Sequence, residues 1–465
     1  MTRLVAVSNR VARPSRDSKS AGGLAVGVLS ALKEYGGVWF GWNGKTTQDE
    51  PGDPKFEQDD NITYATIDLN QHSYELYYNG FSNASLWPVF HYLIDFFHYD
   101  RREYDEYRRV NALFAHKLLP ILQPDDVIWV HDYHLIPLAS ELQRAGVKQP
   151  IGFFLHVPFP DIDMLRVLPV YQQLIRNLCA YDVIGFQTER DLRAFNEAVG
   201  QKEIGGIENA DRRKSNPERI TQVDVFPIGI EVDGCRQLAL QAIETDNVKR
   251  MVNHLHERAL IIGVDRLDYS KGLEERFAAI ERLLDDYPAH RNQISYIQIA
   301  PTTRSGVRAY AEIRNKLEQT TGRINSKFAD IDWVPIRYLN RAFDRPTLMG
   351  FFNQAAVGLV TPIRDGMNLV AKEFVASQHP DDPGVLVLST MAGAASELSD
   401  AVLINPYDID GVADSIHKAL SMPLGERRER HQSMIEVLRK NDITAWRTRF
   451  VDALLKTKKR IRPVS

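Results

Sequence analysis

Three segments of the chain combine glycine or charged side chains with the start of a helical pattern, as anion-binding loops do. The first is Ser20-Ala21-Gly22-Gly23-Leu24. Its two glycines let the backbone approach a ligand, and the free N–H groups at a helix start attract an anion. A serine-capped helix entered through a flexible turn explains the same residues equally well. This segment alone leaves both interpretations open.

The second segment, Val264-Asp265-Arg266-Leu267-Asp268-Tyr269-Ser270-Lys271-Gly272, lies between an apolar run and a helical pattern. In open α/β sheets the loops after the strands form the ligand crevice. Arg266 supplies a planar fork and Lys271 a point charge, so the two cations could converge on one diphosphate. A purely structural loop remains an alternative, with Asp265 and Asp268 as counter-ions.

The third segment is Thr361-Pro362-Ile363-Arg364-Asp365-Gly366-Met367-Asn368-Leu369-Val370-Ala371-Lys372-Glu373, which also follows an apolar run. Asp365 lies in the predicted loop, and Glu373 lies about two helical turns further on. A carboxylate at that depth can accept hydrogen bonds from a ribose diol, while the amides of Gly366 to Leu369 face a diphosphate. The alternative is an exposed acid beside an ordinary helix start.

A dispersed set of residues combines two arginines, which suit a phosphate, with aromatic rings, which suit a sugar face. By spacing alone this set is weak, and His131 and His134 fit core or capping positions. The members are Arg10, Tyr78, Trp87, Asp132, His156 and Arg304.

The elements that must position these residues show a strand–helix alternation. Short apolar runs without polar alternation predict strands that are buried on both faces; they cover residues 4–7, 127–130, 151–155, 183–186, 223–226, 260–264, 294–299, 334–339, 357–360, 385–388 and 402–404. Helical patterns cover residues 24–35, 107–122, 273–286, 306–320 and 412–420. We therefore predict an α/β fold with parallel sheets covered by helices.

The length of 465 residues predicts two or three domains, at roughly 100–200 residues each. The longest interval between strand runs, residues 235–258, is polar and helical, and we place the domain crossing there. The predicted domains are 1–235, 236–440 and a terminal helix, 441–465. We interpret residues 196–218, which are mostly polar, as a segment on the protein surface.

Composition excludes several classes of protein. A net charge of −4 lacks the basic excess typical of nucleic-acid-binding proteins. No stretch approaches the ~20 apolar residues of a membrane helix, so we expect no membrane partner. Cys179 and Cys235 form no C-x-x-C pair, which argues against a zinc site and fits a reduced, cytoplasmic location.

Two further motifs fail on context. Gly44-Lys45-Thr46 resembles the end of a P-loop, but position 39 is Trp and no long strand is predicted before it. Asp408-Ile409-Asp410 resembles a phosphatase nucleophile motif, but Asn405-Pro406-Tyr407 separates it from the preceding apolar run. We interpret Asp410 as a helix N-cap.

Taken together, the motifs resemble the trehalose-6-phosphate synthase family over about residues 3–455. The segments that carry the resemblance, in chain order, are Ser-Asn-Arg at 8–10, the Gly-Gly-Leu loop, His-Asp-Tyr-His at 131–134, His-Val-Pro-Phe-Pro at 156–160, residues 265–272 and residues 364–373. The resemblance implies the GT-B glycosyltransferase fold, with two Rossmann-like domains facing across a cleft and a C-terminal helix that crosses back to the first domain.

The resemblance also implies site residues. Those matching the donor site are Gly22, Gly23, Arg266, Lys271, Phe343, Asp365, Gly366, Met367, Asn368, Leu369, Val370 and Glu373. Those matching the acceptor site are Arg10, Tyr78, Trp87, Asp132 and Arg304, and His156 matches a residue beside the transferred glucose. Arg266, Lys271, Asp365 and His156 are the expected catalytic residues.

The activity that the resemblance implies is a retaining transfer of glucose from UDP-glucose to glucose 6-phosphate, giving α,α-trehalose 6-phosphate and UDP. It implies no metal and no cofactor. It further implies a homo-oligomer, a dimer or a tetramer, and a separate phosphatase for the product. Two alternatives stay open: a related synthase using another nucleotide sugar or another phosphorylated acceptor, and a non-catalytic sugar-phosphate sensor.

Overall fold

The computed structural model describes residues 3–11, 23–201, 221–303 and 308–461. These residues form two compact units. The first contains the described residues up to Ile228 together with those from Ile443 onward, and the second contains Gly229–Asp442. The described chain crosses from the first unit to the second after Ile228 and returns to the first unit at Ile443. The domain limits predicted from the sequence, 235 and 440, lie close to these crossings.

The first unit is built on an eight-stranded sheet in the order β3-β4-β2-β1-β5-β6-β7-β8. All neighbouring strands are parallel except β3, which is antiparallel to β4 at the edge. The strands are β1 Leu4–Arg10, β2 Gly37–Thr47, β3 Lys55–Asp59, β4 Ile62–Asn70, β5 Val127–His131, β6 Ile151–Phe154, β7 Val183–Phe186 and β8 Gln222–Val225.

Helices connect these strands and cover the sheet. They are α1 Gly23–Tyr35, α2 Gln71–Ser73, α3 Trp87–Phe90, α4 Arg101–Leu118, α5 Leu138–Arg144, α6 Ile162–Leu165, α7 Tyr171–Leu178 and α8 Glu189–Val199. A π-helical segment, Tyr74–Leu86, joins α2 to α3. Short 3₁₀ turns occupy Ile94–Phe96, Leu119–Ile121 and Tyr133–Leu135.

The second unit is built on a six-stranded, wholly parallel sheet in the order β11-β10-β9-β12-β13-β14. Its strands are β9 Ala259–Val264, β10 Ile294–Ile299, β11 Ile336–Leu339, β12 Val357–Val360, β13 Val385–Ser389 and β14 Val402–Ile404. Its first strand lies in the middle, with two strands on one side and three on the other, which is the Rossmann order.

The helices of the second unit are α9 Val232–Ala242, α10 Asp246–Leu255, α11 Leu273–Asp286, α12 Arg308–Phe328, α13 Arg345–Asn353, α14 Leu369–Ser377, α15 Ile409–Leu420 and α16 Leu424–Lys440. Its 3₁₀ turns are Tyr269–Lys271, Pro288–His290 and Gly393–Ser396. The last helix of the chain, α17 Ile443–Ile461, belongs to the first unit.

Helix α17 packs on the first sheet through aromatic rings. Phe450 stacks on Trp129 of β5 with ring centroids 4.6 Å apart, and Trp446 lies 4.9 Å from the same ring. Gly152 of β6 makes this approach possible, because a Cβ there would lie 2.8 Å from the Phe450 ring. The helix therefore closes the core of the first unit.

Each sheet has one point at which the strand order reverses, between β1 and β5 and between β9 and β12. Connections leave the two central strands in opposite directions at such a point, so a crevice opens at the strands' carboxyl ends, where open α/β sheets bind ligands. Arg10 ends β1 and Asp132 follows β5, while the 265–272 and 361–373 segments follow β9 and β12.

Every apolar run read as a strand overlaps a strand of the structure, and every predicted helix overlaps a helix. The predicted and observed ends of a helix differ where a capping residue determines where the helix begins. Helix α4 begins at Arg101 rather than Tyr107, because the Asp100 side chain accepts a hydrogen bond from the Arg102 N–H. It ends before Pro120, which lies in a 3₁₀ turn.

Three expectations were wrong. Strands β2, β3 and β4 were not predicted from the sequence. No long strand was expected before the Gly44-Lys45-Thr46 motif, but β2 begins at Gly37 and runs through it. Trp39 still occupies the place of the first P-loop glycine. Asp408, not Asp410, caps α15, since its carboxylate accepts from the Gly411 N–H.

Candidate active site

Lys271 and Asp365 bring the two charged segments of the second unit together. The Lys271 Nζ lies 2.5 Å from Asp365 Oδ2, and the two side chains are only 10% and 15% exposed. Lys271 ends the 3₁₀ turn after β9, and the adjacent Gly272 adopts φ +62° before α11 begins. A Cβ on Gly272 would lie 2.2 Å from the Thr361 carbonyl oxygen, so glycine permits this close approach of the two loops.

The loop after β12 is held in a fixed shape at the start of α14. Asn368 caps this helix with φ +72°, and its side chain accepts from the Ala371 N–H. Its amide nitrogen also donates to Asp365 Oδ2 at 3.1 Å. The next residues, Leu369 and Val370, are the first of the helix, where N–H groups have no carbonyl of a preceding turn to bond. Gly366 and Met367 lie between Asp365 and this cap.

Arg276, which was not predicted from the sequence, is buried beneath the loops that follow β9 and β12 and contacts both of them. Its guanidinium is fully buried and lies 2.8 Å from Asp265 Oδ2. It also donates to Thr361 Oγ1 at 2.9 Å and to Gln298 Oε1 at 2.8 Å. Burial raises the pKa of Asp265 and the Arg276 charge opposes that shift. Asp265 is therefore a structural counter-ion to Arg276. This agrees with the alternative interpretation of the loop, in which its aspartates are counter-ions.

Asp268 is structural as well. Its carboxylate is fully buried and accepts from the backbone N–H and hydroxyl of Ser270 and from the hydroxyl of Tyr310. Arg266, between these two aspartates, is exposed at the carboxyl end of β9. The segment therefore holds two buried acids behind one exposed guanidinium.

Glu373 has a partner that the sequence interpretation did not find. The Arg345 Nη2 lies 3.2 Å from Glu373 Oε1. Burial raises the pKa of Glu373, and Arg345 opposes that rise. Arg345 also donates to the Cys235 sulfur at 3.4 Å, and burial raises the pKa of that thiol to about 12. The thiol is therefore neutral, and Arg345 is available to keep the Glu373 carboxylate charged.

Phe343 precedes α13, two residues before Arg345. Its ring contacts Phe351 at 5.3 Å between centroids, and the Arg341 guanidinium lies 4.6 Å from the ring centre. Phe343 and Arg345 thus lie close together at the start of α13, and the Arg345 side chain connects this segment to Glu373. The spacing of two residues carries no motif, so only the fold reveals the connection.

In the first unit, Arg10 lies exposed at the end of β1 beside an aromatic cluster. Its guanidinium carbon lies 5.9 Å from the Trp42 ring centre. Trp42 contacts Tyr78 at 5.8 Å, and Tyr78 stacks on His134 at 5.7 Å with an interplanar angle of 11°. Gly44 adopts φ +89°, and a Cβ there would lie 2.8 Å from Arg10 Nη2. Trp42 and Gly44 are further residues that the sequence interpretation missed.

Trp87 is more deeply placed than a sugar-stacking residue would be. It is 4% exposed, and its ring lies 4.0 Å from His91 and 5.7 Å from Tyr133. Trp87 begins α3 directly after the π-helical segment that carries Tyr78. In this structure it supports that segment and offers little of its ring face.

Asp132 combines an unusual backbone with a contact to His156. Its φ is +78°, a conformation that costs an aspartate of order 1–3 kcal/mol and that clusters at functional sites. The fold over-determines it, because its N–H donates to the Phe154 carbonyl at 2.9 Å. Its carboxylate accepts from the His156 backbone N–H at 3.2 Å. The ends of β5 and β6 thus present Asp132 and His156 together.

His156 also pairs with a buried histidine. The His131 Nδ1 and His156 Nε2 lie 3.2 Å apart, so one ring donates to the other. Burial lowers the pKa of His156 to about 3 and that of His131 well below its usual range. Among the described residues His131 Nε2 is buried without a partner, and a bare acceptor there costs less than an N–H donor.

Two predicted site residues, Gly22 and Arg304, lie outside the described residues. Gly23 is the first residue of α1. Within the part of the chain that the structure describes, no group of three or more His, Cys, Asp or Glu side chains could hold a metal ion. The same part contains no helix long and apolar enough to span a bilayer.

Two predominantly parallel sheets, each with charged side chains at its strand-order reversal, define an α/β glycosyltransferase of the GT-B type, which confirms the predicted fold class. More narrowly, residues 3–456 match the model of glycosyltransferase family 20, and the chain belongs to that family.

Relatives agree with this assignment. The trehalose-6-phosphate synthase of Sodalis glossinidius is 50% identical over 460 residues, covering 98% of this chain and 96% of its own length. A UDP-forming α,α-trehalose-phosphate synthase from Burkholderia xenovorans, solved in complex with glucose-6-phosphate, is 48% identical with a TM-score of 0.92, covering 97% of this chain and 100% of its own. An E. coli structure bound with UDP-2-fluoro glucose is 47% identical with a TM-score of 0.89, covering 97% and 99%.

Proposed function

We propose that this chain transfers glucose from UDP-glucose to glucose 6-phosphate and so forms α,α-trehalose 6-phosphate and UDP. The observation that carries the proposal is the ion pair of Lys271 and Asp365 at the strand-order reversal of the second sheet. This pair places the Lys271 ammonium group at the carboxyl ends of the strands, where open α/β sheets bind ligands. A cation at that position can bind the negatively charged diphosphate of a nucleotide sugar. The names of the family relatives supply the substrates.

The second unit provides the donor site in this proposal. Arg266 and Lys271 bind the diphosphate, together with the first N–H groups of α14 at Leu369 and Val370. The preceding residues Gly366 and Met367 bring the backbone close to it. Glu373 accepts hydrogen bonds from the ribose diol, and the Phe343 ring borders the nucleotide.

The first unit provides the acceptor site. Arg10 binds the phosphate of glucose 6-phosphate, while Tyr78 and Asp132 contact its sugar. Trp87 supports the segment that carries Tyr78. His156, which burial keeps neutral, offers a hydrogen bond to the transferred glucose without adding charge.

The reaction breaks the bond between glucose C1 and the phosphate oxygen of UDP on the same face on which the new bond forms. As that bond breaks, negative charge grows on the diphosphate, and Arg266 and Lys271 stabilise it. The O1 oxygen of glucose 6-phosphate bonds to C1, and its proton passes to the departing phosphate oxygen. The α configuration is kept, and no separate base, metal or cofactor is needed.

We further propose a cytoplasmic homo-oligomer, a dimer or a tetramer, whose product is dephosphorylated by a separate phosphatase. The two buried, unbridged cysteines support a reducing location. The phosphatase is proposed because transfer to glucose 6-phosphate leaves the phosphate on the product, so free trehalose forms only after a separate hydrolysis.

A panel of donors tests the proposal. The purified chain is incubated with glucose 6-phosphate and UDP-, GDP- or ADP-glucose, and the released nucleotide is measured. We expect release that depends on glucose 6-phosphate and is fastest with UDP-glucose. Faster release from another donor would assign the chain to a related synthase. Binding of the substrates without release would make it a sugar-phosphate sensor.

A further inference from the structure

Three helices of the first unit turn one face each toward a cavity of about 560 Å³. On α4 the lining residues are Arg101, Tyr104, Asp105 and Arg108, which follow the i, i+3, i+4, i+7 spacing of a single helix face. Glu141 and Arg144 of α5 and Arg176 of α7 line the other walls. The volume lies within the roughly 300–1,000 Å³ range of small-molecule sites.

The arginines around this cavity differ from their neighbours on the same helix. Arg102 is paired with Asp100, and Arg109 with Glu106. By contrast, Arg101, Arg108 and Arg176 form no ion pair with any residue the structure describes. Since these three side chains border one concave space, their charges are left available to an anion.

The remaining lining residues add features that a simple anion site does not need. Asp105 and Glu141 are carboxylates that can accept hydrogen bonds from hydroxyl groups. Glu141 is paired with Arg144 at 2.5 Å, which fixes its orientation. The half-buried Tyr99 ring supplies flat apolar surface with a polar edge, as sugar-binding sites do, and the buried Tyr104 ring supports the wall behind it.

We propose that this cavity binds a phosphorylated sugar as an effector. The phosphate lies among Arg101, Arg108 and Arg176, and the hydroxyl groups of the sugar face Asp105 and Glu141. None of the predicted acceptor residues that the structure describes lines this cavity, so the site is separate from theirs. The inference does not depend on the proposed transfer reaction.

The cavity nevertheless shares its scaffold with the acceptor residues. Tyr104 contacts Phe81 of the π-helical segment at 5.1 Å between ring centroids, and that segment carries Tyr78. Tyr107, on the same helix, donates to the Tyr133 carbonyl oxygen, next to Asp132. A ligand that orders α4 is therefore in a position to affect the acceptor residues, which is why we describe it as an effector.

Equilibrium dialysis with radiolabelled glucose 6-phosphate tests the proposal by counting sites per chain. We expect two sites in the wild type and one in R108Q/R176Q. The KM of that variant for glucose 6-phosphate should differ from the wild-type value, because the effector no longer acts on the acceptor residues, while kcat changes less than twofold. R102Q is the matched control and should keep two sites, because Arg102 does not line the cavity and is paired with Asp100. Plain glucose should not compete for the second site.

Several results would overturn the inference. They are a single site in the wild type that R108Q/R176Q retains, or two sites in R108Q/R176Q with an unchanged melting temperature. Equal affinity of the second site for inorganic phosphate and for glucose 6-phosphate would rule out a sugar site. A lower molar mass of R108Q/R176Q in light scattering would make this face an interface between copies. If the transfer reaction itself were wrong, the wild type would show one site, lost in R108Q/R176Q and kept in R10A.

Discussion

The Nζ of Lys271 lies 2.5 Å from Oδ2 of Asp365, and this contact joins the loops that follow β9 and β12. The two strands are neighbours at the point where the strand order of the second sheet reverses. Both side chains are largely shielded from water, which strengthens their attraction. Asp365 therefore holds the ammonium group in place before a diphosphate arrives, so that little reorganisation is needed when charge develops.

Replacing Lys271 should reduce turnover far more than substrate binding. In K271M we expect kcat to fall by about 10²–10³, because removing one preorganised donor to a developing anion costs about 2.7–4 kcal/mol in the transition state. D365N should also lower kcat, since Lys271 would lose its anchor. K316M, which changes an exposed lysine of α12, is the control. Steady-state kinetics with UDP-glucose decide the matter, and normal turnover in K271M would show that Lys271 does not act on the diphosphate.

Arg345 should act through Glu373. We expect R345M and E373Q each to raise the KM for UDP-glucose about tenfold or more, as a charge-assisted hydrogen bond contributes about 1.5–3 kcal/mol. The double variant should lose little beyond either single one, because both changes break one contact. Losses that add fully would contradict this coupling.

The same pair predicts a pH effect. Burial raises the pKa of Glu373, and Arg345 limits the rise. Without Arg345 the pKa rises further, so the carboxylate takes up a proton at a higher pH than in the wild type and then accepts hydrogen bonds less well. The KM for UDP-glucose in R345M should therefore increase on acidification more steeply than in the wild type. E373Q, which has no carboxylate at this position, is the control and should lack the extra dependence.

Gly44 should control the position of Arg10. In G44A the new methyl group would lie 2.8 Å from Arg10 Nη2, and the guanidinium can move away because it ends a flexible side chain. We expect the KM for glucose 6-phosphate to rise by up to about tenfold, the scale of one charge-assisted hydrogen bond, with UDP-glucose binding unchanged. G52A, where nothing lies within 4 Å of the added carbon, is the control. An equal rise in both KM values in G44A would show a general backbone effect.

The His131–His156 pair should make stability depend on pH. Burial lowers the pKa of both rings below the value of about 6.5 expected in an unfolded chain. Their contribution is complete above pH 6.5 and is lost as the pH falls, because the unfolded state then binds more protons. H131Q should therefore show a smaller decrease of melting temperature between pH 7 and 5 than the wild type. H379Q, at an exposed position, is the control, and its melting temperature should depend on pH as in the wild type. An unchanged pH dependence in H131Q would show that the His131–His156 pair does not contribute to it.

The parts of the fold that could be predicted share one physical property. Runs such as Val357–Val360 are buried on both faces and therefore apolar throughout. Strand β3 is exposed at all five positions, Lys55–Asp59, and has a single apolar residue, Phe56, so it forms no apolar run. Strands β2 and β4 mix apolar residues with Gly, Asn, Thr and Asp, so they resemble loops in sequence.

The candidate site divides in a similar way. Lys271, Asp365 and Glu373 lie in compact motifs whose order and spacing could be recognised. Arg276, Arg345 and Gly44 act through contacts with residues that are distant in the sequence, as Gly44 does with Arg10 and Arg276 with Thr361. No local pattern marks such residues, because their partners are brought near only by the sheet order.

The stereochemistry of the product tests the proposed function most directly. The chain is incubated with ¹³C1-labelled UDP-glucose and glucose 6-phosphate, and the new anomeric centre is followed by NMR. We predict one product, α,α-trehalose 6-phosphate, formed in equal amount to UDP, with no free labelled glucose. A β-linked product, or labelled glucose released at the same rate whether or not glucose 6-phosphate is present, would contradict a retaining transfer to that acceptor.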